Sequence, residues 1–184
     1  MRSTIIVLAL CCFVGCKHEG AISPQKEVIP NPVSPKFKLA GSWIPDAEIL
    51  LPVGSNEPVS IRQTDDGVFA VTFPDADGLD VEVRTTPLRP RKGYVIAEAH
   101  ASANDTSWLR FIGIIKCSDD KLSVAWIESE NLARLMHEEG HSAVIERSAF
   151  GTKVFAESDD LLDCITKHAN ELVGKPATFT RQPK

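Results

Sequence analysis

Short apolar stretches separated by turn residues dominate the chain from Phe37 onward. Apolar and polar residues alternate in residues 59–62 and 81–84, which is the period of a strand with one buried face. Residues 108–117 are apolar on both faces apart from Arg110 and Lys116, as in a strand that is covered on both sides. Short turns join neighbouring strands and make them antiparallel, so the pattern predicts a mostly antiparallel sheet or an incomplete barrel.

Two helices are predicted late in the chain, because the apolar spacing changes there to that of a helix. The first covers residues 130–139, with Ser129 as the expected N-cap and Gly140 as its stop. The second covers residues 159–173, with Ser158 as its expected N-cap. The predicted fold class is therefore α+β, with a mostly antiparallel sheet and two late helices.

Composition favours one globular domain of modest acidity. The 184 residues are 43% hydrophobic and 24% charged, and the formal net charge is −5. Because an acidic protein repels phosphate backbones, we expect no nucleic-acid partner.

The N-terminal residues 1–15 have the pattern of an export signal. Arg2 precedes an apolar run that is too short to span a bilayer. The next residues, Phe13-Val14-Gly15-Cys16, resemble the lipobox of bacterial lipoproteins, although Phe13 stands where that family usually has Leu. The resemblance implies cleavage before Cys16, a covalent lipid on its thiol, and a stable membrane anchor. The alternative is a buried N-terminal helix in which the cysteines serve as small hydrophobic residues.

Residues 16–36 are predicted to form a tether between the lipid and the domain of residues 37–184. The segment is polar and rich in proline, which favours an extended path. Lys17 stands where enteric lipoproteins that stay in the inner membrane carry aspartate. We therefore expect an exported protein, anchored in the cell envelope and by default in the outer membrane.

Four short segments carry a further resemblance. They are Gly41-Ser42-Trp43 at the start of the domain, a strand over residues 153–158, Lys167-His168-Ala169 in the second helix, and Phe179-Thr180-Arg181 in the last predicted strand, Ala177–Arg181. Together they are similar to a family of bacterial lipoproteins without an assigned activity. The Gly-x-Trp opening also resembles that of lipocalins, which implies a barrel end plugged by Trp43 with Arg181 packed across its ring. The alternative is that Trp43 is an ordinary core residue.

The string from His137 to His141 matches the H-E-x-x-H pattern of zinc peptidases. In that pattern His137 and His141 would bind zinc from one helix face, and Glu138 would activate a bound water. The charged Glu139 and the helix stop at Gly140 favour a polar helix end without a cofactor instead. The zinc alternative requires a helix that continues past His141.

Cys117 and Cys164 are the thiols left in the domain once Cys16 carries its lipid. In the oxidising compartment that an exported protein reaches, these two thiols can form a disulfide that fixes the second helix to the sheet. Two separately buried thiols are the alternative.

Two functions follow from these patterns. The favoured one is a non-catalytic envelope module that binds a small apolar ligand or an envelope protein. The other is a zinc-dependent hydrolase that uses residues 137–141. The module requires an apolar groove on or inside the sheet.

Replacing Cys16 tests the anchor. We expect Cys16→Ala to abolish metabolic labelling with palmitate and to leave unprocessed precursor, because the acylated thiol is gone. Gel electrophoresis of labelled cells measures both effects. Cys11→Ala is the matched control and should still be labelled, whereas continued labelling of Cys16→Ala would move the anchor to another residue.

Overall fold

The computed structural model describes residues 21–22, 27–46, 57–73, 79–103, 108–148 and 151–183. Within these residues there are eleven strands and two helices. The strands are β1 (Ala21–Ile22), β2 (Gly41–Pro45), β3 (Val59–Asp65), β4 (Val68–Thr72), β5 (Leu79–Pro87), β6 (Tyr94–Ala103), β7 (Trp108–Cys117), β8 (Lys121–Trp126), β9 (Ala143–Ser148), β10 (Gly151–Ala156) and β11 (Ala177–Arg181). The helices are α1 (Ser129–Glu138) and α2 (Ser158–Leu172).

Eight of these strands form a closed antiparallel barrel. Their order is β6-β5-β4-β3-β2-β11-β8-β7, and β7 pairs back to β6. Strands β2 to β8 follow one another around the barrel, as their turns dictate, and β11 fills the gap between β2 and β8. The predicted α+β class with a mostly antiparallel sheet is confirmed, and the described strands close the barrel completely.

The segment between β8 and β11 lies outside the barrel. It contains α1, β9, β10 and α2 in chain order. Strands β9 and β10 form an antiparallel pair, and β1 joins this pair to β7. The sequence prediction did not include β1 or β9.

Both helices pack on the outer face of β6 and β7. Alternate residues of these strands point away from the barrel interior and form a second core with the helices. The largest fully buried members of this core include Ile96, Ile112, Leu132, Met136, Leu161 and Ile165. Strand β7 is therefore covered on both sides, as its sequence indicated.

The helix boundaries differ from the predictions by one residue. Ser129 and Ser158 are the first helical residues rather than N-caps, and the preceding glutamates make no side-chain capping hydrogen bond. The Ser158 hydroxyl donates instead to the carbonyl of Glu27, at 2.8 Å. Gly140 follows α1 with a φ of 76°, so it ends the helix as expected. Neither described helix has the length and apolar character needed to cross a membrane.

Part of the predicted tether packs on the domain. Val28 and Ile29 are buried in the core between the barrel wall and the helices. Their backbone N–H groups donate to the two carboxylate oxygens of Glu98, at 3.0 and 2.8 Å. Residues 1–20, which include the predicted signal and Cys16, lie outside the described part of the chain.

Glu98 is the centre of a buried polar group on the outer face of β6. Its side chain has no exposed surface, and Arg110 Nη1 donates to Oε1 at 2.9 Å. His100 Nε2 lies 3.0 Å from the same oxygen. Burial opposes ionisation, but His100 and the two backbone donors outweigh it and lower the pKa of Glu98 to about 2. An ionised carboxylate therefore holds Val28 and Ile29 against the barrel.

We expect stability to fall in acid through this carboxylate. Because the pKa of Glu98 is lower in the folded protein, the unfolded chain binds more protons as the pH falls from about 5 to about 2, which removes about 3 kcal/mol of stability. Denaturant unfolding at a series of pH values measures this loss. Glu98→Gln should be less stable at pH 7 and should lack this component of the acid loss.

The matched control is Glu82→Gln, because Glu82 lies on neighbouring β5 with 43% of its side chain exposed. We expect its acid profile to follow that of the unmodified protein. An acid profile of Glu98→Gln that is parallel to the unmodified one would refute the role assigned to Glu98.

Candidate functional site

The barrel interior contains an apolar cavity of about 110 Å³. All eight barrel strands contribute to its lining, and the nineteen described lining residues all carry apolar or aromatic side chains. Its six aromatic residues are Trp43, Phe69, Phe73, Phe111, Trp126 and Phe179. This is the apolar space that a small-ligand module requires.

The alternation along each strand creates this lining. Ala97, Ala99 and Ala101 face the interior from β6, while Ile96 and Glu98 face the opposite side. Three small side chains in a row leave space that the aromatic rings of other strands do not fill. Phe111 and Trp126 contact each other at a tilted angle, with ring centroids 5.8 Å apart.

Trp43 lines the cavity with Arg181 packed across its ring, and we call this part of the barrel the closed end. Its side chain is fully buried, and its indole Nε1 donates to the carbonyl of Leu39 at 2.9 Å. The Arg181 guanidinium lies 4.0 Å from the centre of the Trp43 ring. The resemblance to lipocalins implied this contact, and it arises because β11 places Arg181 directly opposite Trp43 on β2.

Arg181 also joins β11 to two other segments at the closed end, residues 38–40 and the turn after β7. It donates to the carbonyls of Lys38, Ala40 and Asp119, at 2.5, 3.0 and 2.6 Å. A side chain at Gly41 would occupy the space of the guanidinium, and the backbone there has a φ of 152°. These two constraints explain the glycine of the Gly-x-Trp motif.

The H-E-x-x-H string does not form the zinc-peptidase arrangement. Helix α1 ends at Glu138, and the positive φ of Gly140 turns the chain away, so the required helix past His141 is absent. His137 is exposed, and Glu138 pairs with Arg134 at 2.9 Å. The structure therefore does not meet this requirement of the zinc hypothesis. Gly140 ends the helix before His141 can share a helix face with His137. His141 lies instead against Glu139 and α2.

Cys117 and Cys164 are both buried and unpaired. Cys117 belongs to the core inside the barrel, whereas Cys164 belongs to the core under the helices. The disulfide alternative does not describe this structure, because the barrel wall separates the two thiols. Burial raises the pKa of both, that of Cys164 to about 11, so neither is a thiolate at neutral pH.

Comparisons with protein-family models, curated proteins and solved structures return no match for this chain. Its function is therefore inferred from the geometry and chemistry of its own residues.

Removing the Arg181 guanidinium tests the closed end. We expect Arg181→Gln to lower the free energy of unfolding by about 2–4 kcal/mol, because the cation–π contact and charged hydrogen bonds to three carbonyls are lost. Denaturant unfolding measures this change. Arg62→Gln on the exposed side of β3 is the matched control and should change stability by less than about 0.5 kcal/mol. Equal effects of the two substitutions would show that Arg181 has no special role.

Proposed function

We propose that this protein is a lipid-anchored bacterial envelope lipoprotein whose barrel binds a small, uncharged, apolar ligand and is not itself catalytic. The observation that carries the proposal is the apolar cavity inside a barrel with one closed end. Because this apolar surface is concave and enclosed by strands, it suits a small molecule better than a protein partner.

The lining determines the chemistry of the ligand. Apolar ligand surface gains roughly 25 cal/mol for each Å² that leaves water. A charged group placed among these side chains would lose its hydration without gaining a partner. The ligand, or the part of it that enters, is therefore neutral and made of alkyl or aryl groups.

The size of the cavity limits how much of the ligand it holds. Its volume of about 110 Å³ is of the same order as apolar protein cavities that accept a benzene ring. A single ring or a short alkyl segment is therefore the natural occupant. Since Trp43 and Arg181 close one end, the ligand enters from the opposite end of the barrel.

The lipobox-like residues and the docked segment support a short tether. Five residue steps separate Cys16 from Ala21, where the chain pairs with barrel strand β7. At up to about 3.6 Å per residue, they hold that point within about 18 Å of the lipid anchor. The ligand-binding domain therefore stays close to the membrane and samples apolar molecules there.

A homologous series of neutral alcohols tests binding. Saturable binding of 1-butanol to 1-decanol is followed through tryptophan fluorescence, because Trp43 and Trp126 line the cavity. We expect roughly fourfold tighter binding for each added methylene until the chain fills the cavity, after which the gain per methylene falls.

Replacing either of two alanines by leucine locates the bound alcohol. Ala99→Leu fills the interior and should weaken binding by at least about tenfold, whereas Ala70→Leu lies on the outer side of β4 and should not. Non-saturable fluorescence changes, or equal affinities in the two variants, would contradict a ligand site inside the barrel.

A further inference from the structure

Titratable side chains from the turn after α1 and from α2 converge outside the barrel. His141 Nε2 lies 3.1 Å from Glu139 Oε2 and 3.9 Å from Asp163 Oδ2. One ligand atom from each of these three residues lies within 4.8 Å of the other two. Four-coordinate zinc places its ligand atoms about 3.3 Å apart, so displacements of roughly 1 Å would bring the three into contact with one ion.

Neighbouring side chains orient the His141 imidazole and the Glu139 carboxylate. Asp160 Oδ1 lies 3.3 Å from His141 Nδ1, the ring nitrogen that does not face the two carboxylates. His168 Nε2 lies 2.9 Å from Glu139 Oε1 and leaves Oε2 directed at His141. A carboxylate on the far nitrogen of a histidine is the usual support of a metal-binding imidazole, because it fixes the tautomer that presents the lone pair.

The charges at this junction favour a cation. Carboxylates of Glu139, Asp160 and Asp163 surround one imidazole, and Glu139 lies at the negative end of α1. Lys167 Nζ lies 2.6 Å from Asp163 Oδ2 and 3.7 Å from Glu139 Oε2. The ammonium group thus stands where a cation would be held, but half of its side chain is exposed and its flexible stem allows it to swing away.

We propose that Glu139, His141 and Asp163 bind one divalent transition-metal ion, with zinc the best match to the donor set. One imidazole and two carboxylates are donors that zinc accepts, and a water completes four-coordination. Imidazole is a poor ligand for calcium and magnesium, which prefer oxygen. The ion would connect the turn after α1 to α2, and this role does not depend on ligand binding inside the barrel.

The proposal uses different partners from those of the H-E-x-x-H string. Of the string's three candidate residues, His141 alone belongs to the converging group, while His137 and Glu138 lie on the exposed end of α1. His137→Ala is therefore a control that separates the two arrangements.

Direct metal titration tests the site. The full chain, purified in detergent without a polyhistidine tag and stripped of metal, is titrated with zinc by calorimetry and with cobalt by visible absorption. We expect one ion per chain, with cobalt bands of a four-coordinate nitrogen–oxygen site. His141→Ala and Asp163→Asn should each weaken binding by at least about tenfold, and Asp160→Asn by about tenfold. His137→Ala should remain within about twofold of the unmodified protein.

Lys167→Met should change the zinc affinity in the opposite direction to the substitutions of the ligands. Because it removes the competing ammonium group, it should tighten zinc binding by about tenfold. Unchanged or weaker binding in this variant would overturn the placement of the ion. Absence of saturable binding in the unmodified protein, or a loss in His137→Ala that equals the loss in His141→Ala, would overturn the site itself. Circular dichroism confirms that each variant used in the comparison is folded.

Discussion

Closure of the barrel by β11 is the constraint on which the other features depend. This strand pairs with β2 on one side and with β8 on the other. Without it both neighbours would expose unpaired backbone groups, and the apolar interior would open to water. Its last residue, Arg181, also packs on Trp43 and joins β11 to residues 38–40 and to Asp119 at the closed end. Because β11 follows both helices in the chain, the barrel closes only when the chain is present from β2 through β11.

Strands β6 and β7 connect the barrel to everything outside it. Their inner faces line the cavity, and their outer faces carry the core formed with α1 and α2. The same outer face carries Glu98, which holds the N-terminal segment at Val28 and Ile29. A buried carboxylate would be costly there without partners, but two backbone donors and Arg110 compensate for its lost hydration. Residues 28 and 29, which the sequence placed in a predicted tether, therefore belong to the fold.

The two proposed sites lie on opposite sides of the barrel wall and suit different chemistry. The interior is lined by side chains that favour neutral alkyl or aryl groups. The junction of α1 and α2 presents an imidazole between carboxylates, which favours a cation. A ligand in the cavity and an ion at the junction would share no contact residue. The same wall keeps the buried thiols Cys117 and Cys164 apart.

Local patterns in the sequence determined most of the strands, the hairpin turns and the helix stop at Gly140, whereas the resemblance to lipocalins implied the contact between Trp43 and Arg181. Alternation, helical spacing and turn residues act over a few positions, so they can be read without knowing the partners of each segment. Strand β9 was not predicted, because its apolar residues Val144 and Ile145 are adjacent and do not alternate with polar residues.

Tertiary structure alone decided the barrel closure, the docking of Val28 on Glu98 seventy positions away, and the meeting of His141 with Asp163. Such contacts depend on how every apolar face is buried at once, and no local spacing encodes that.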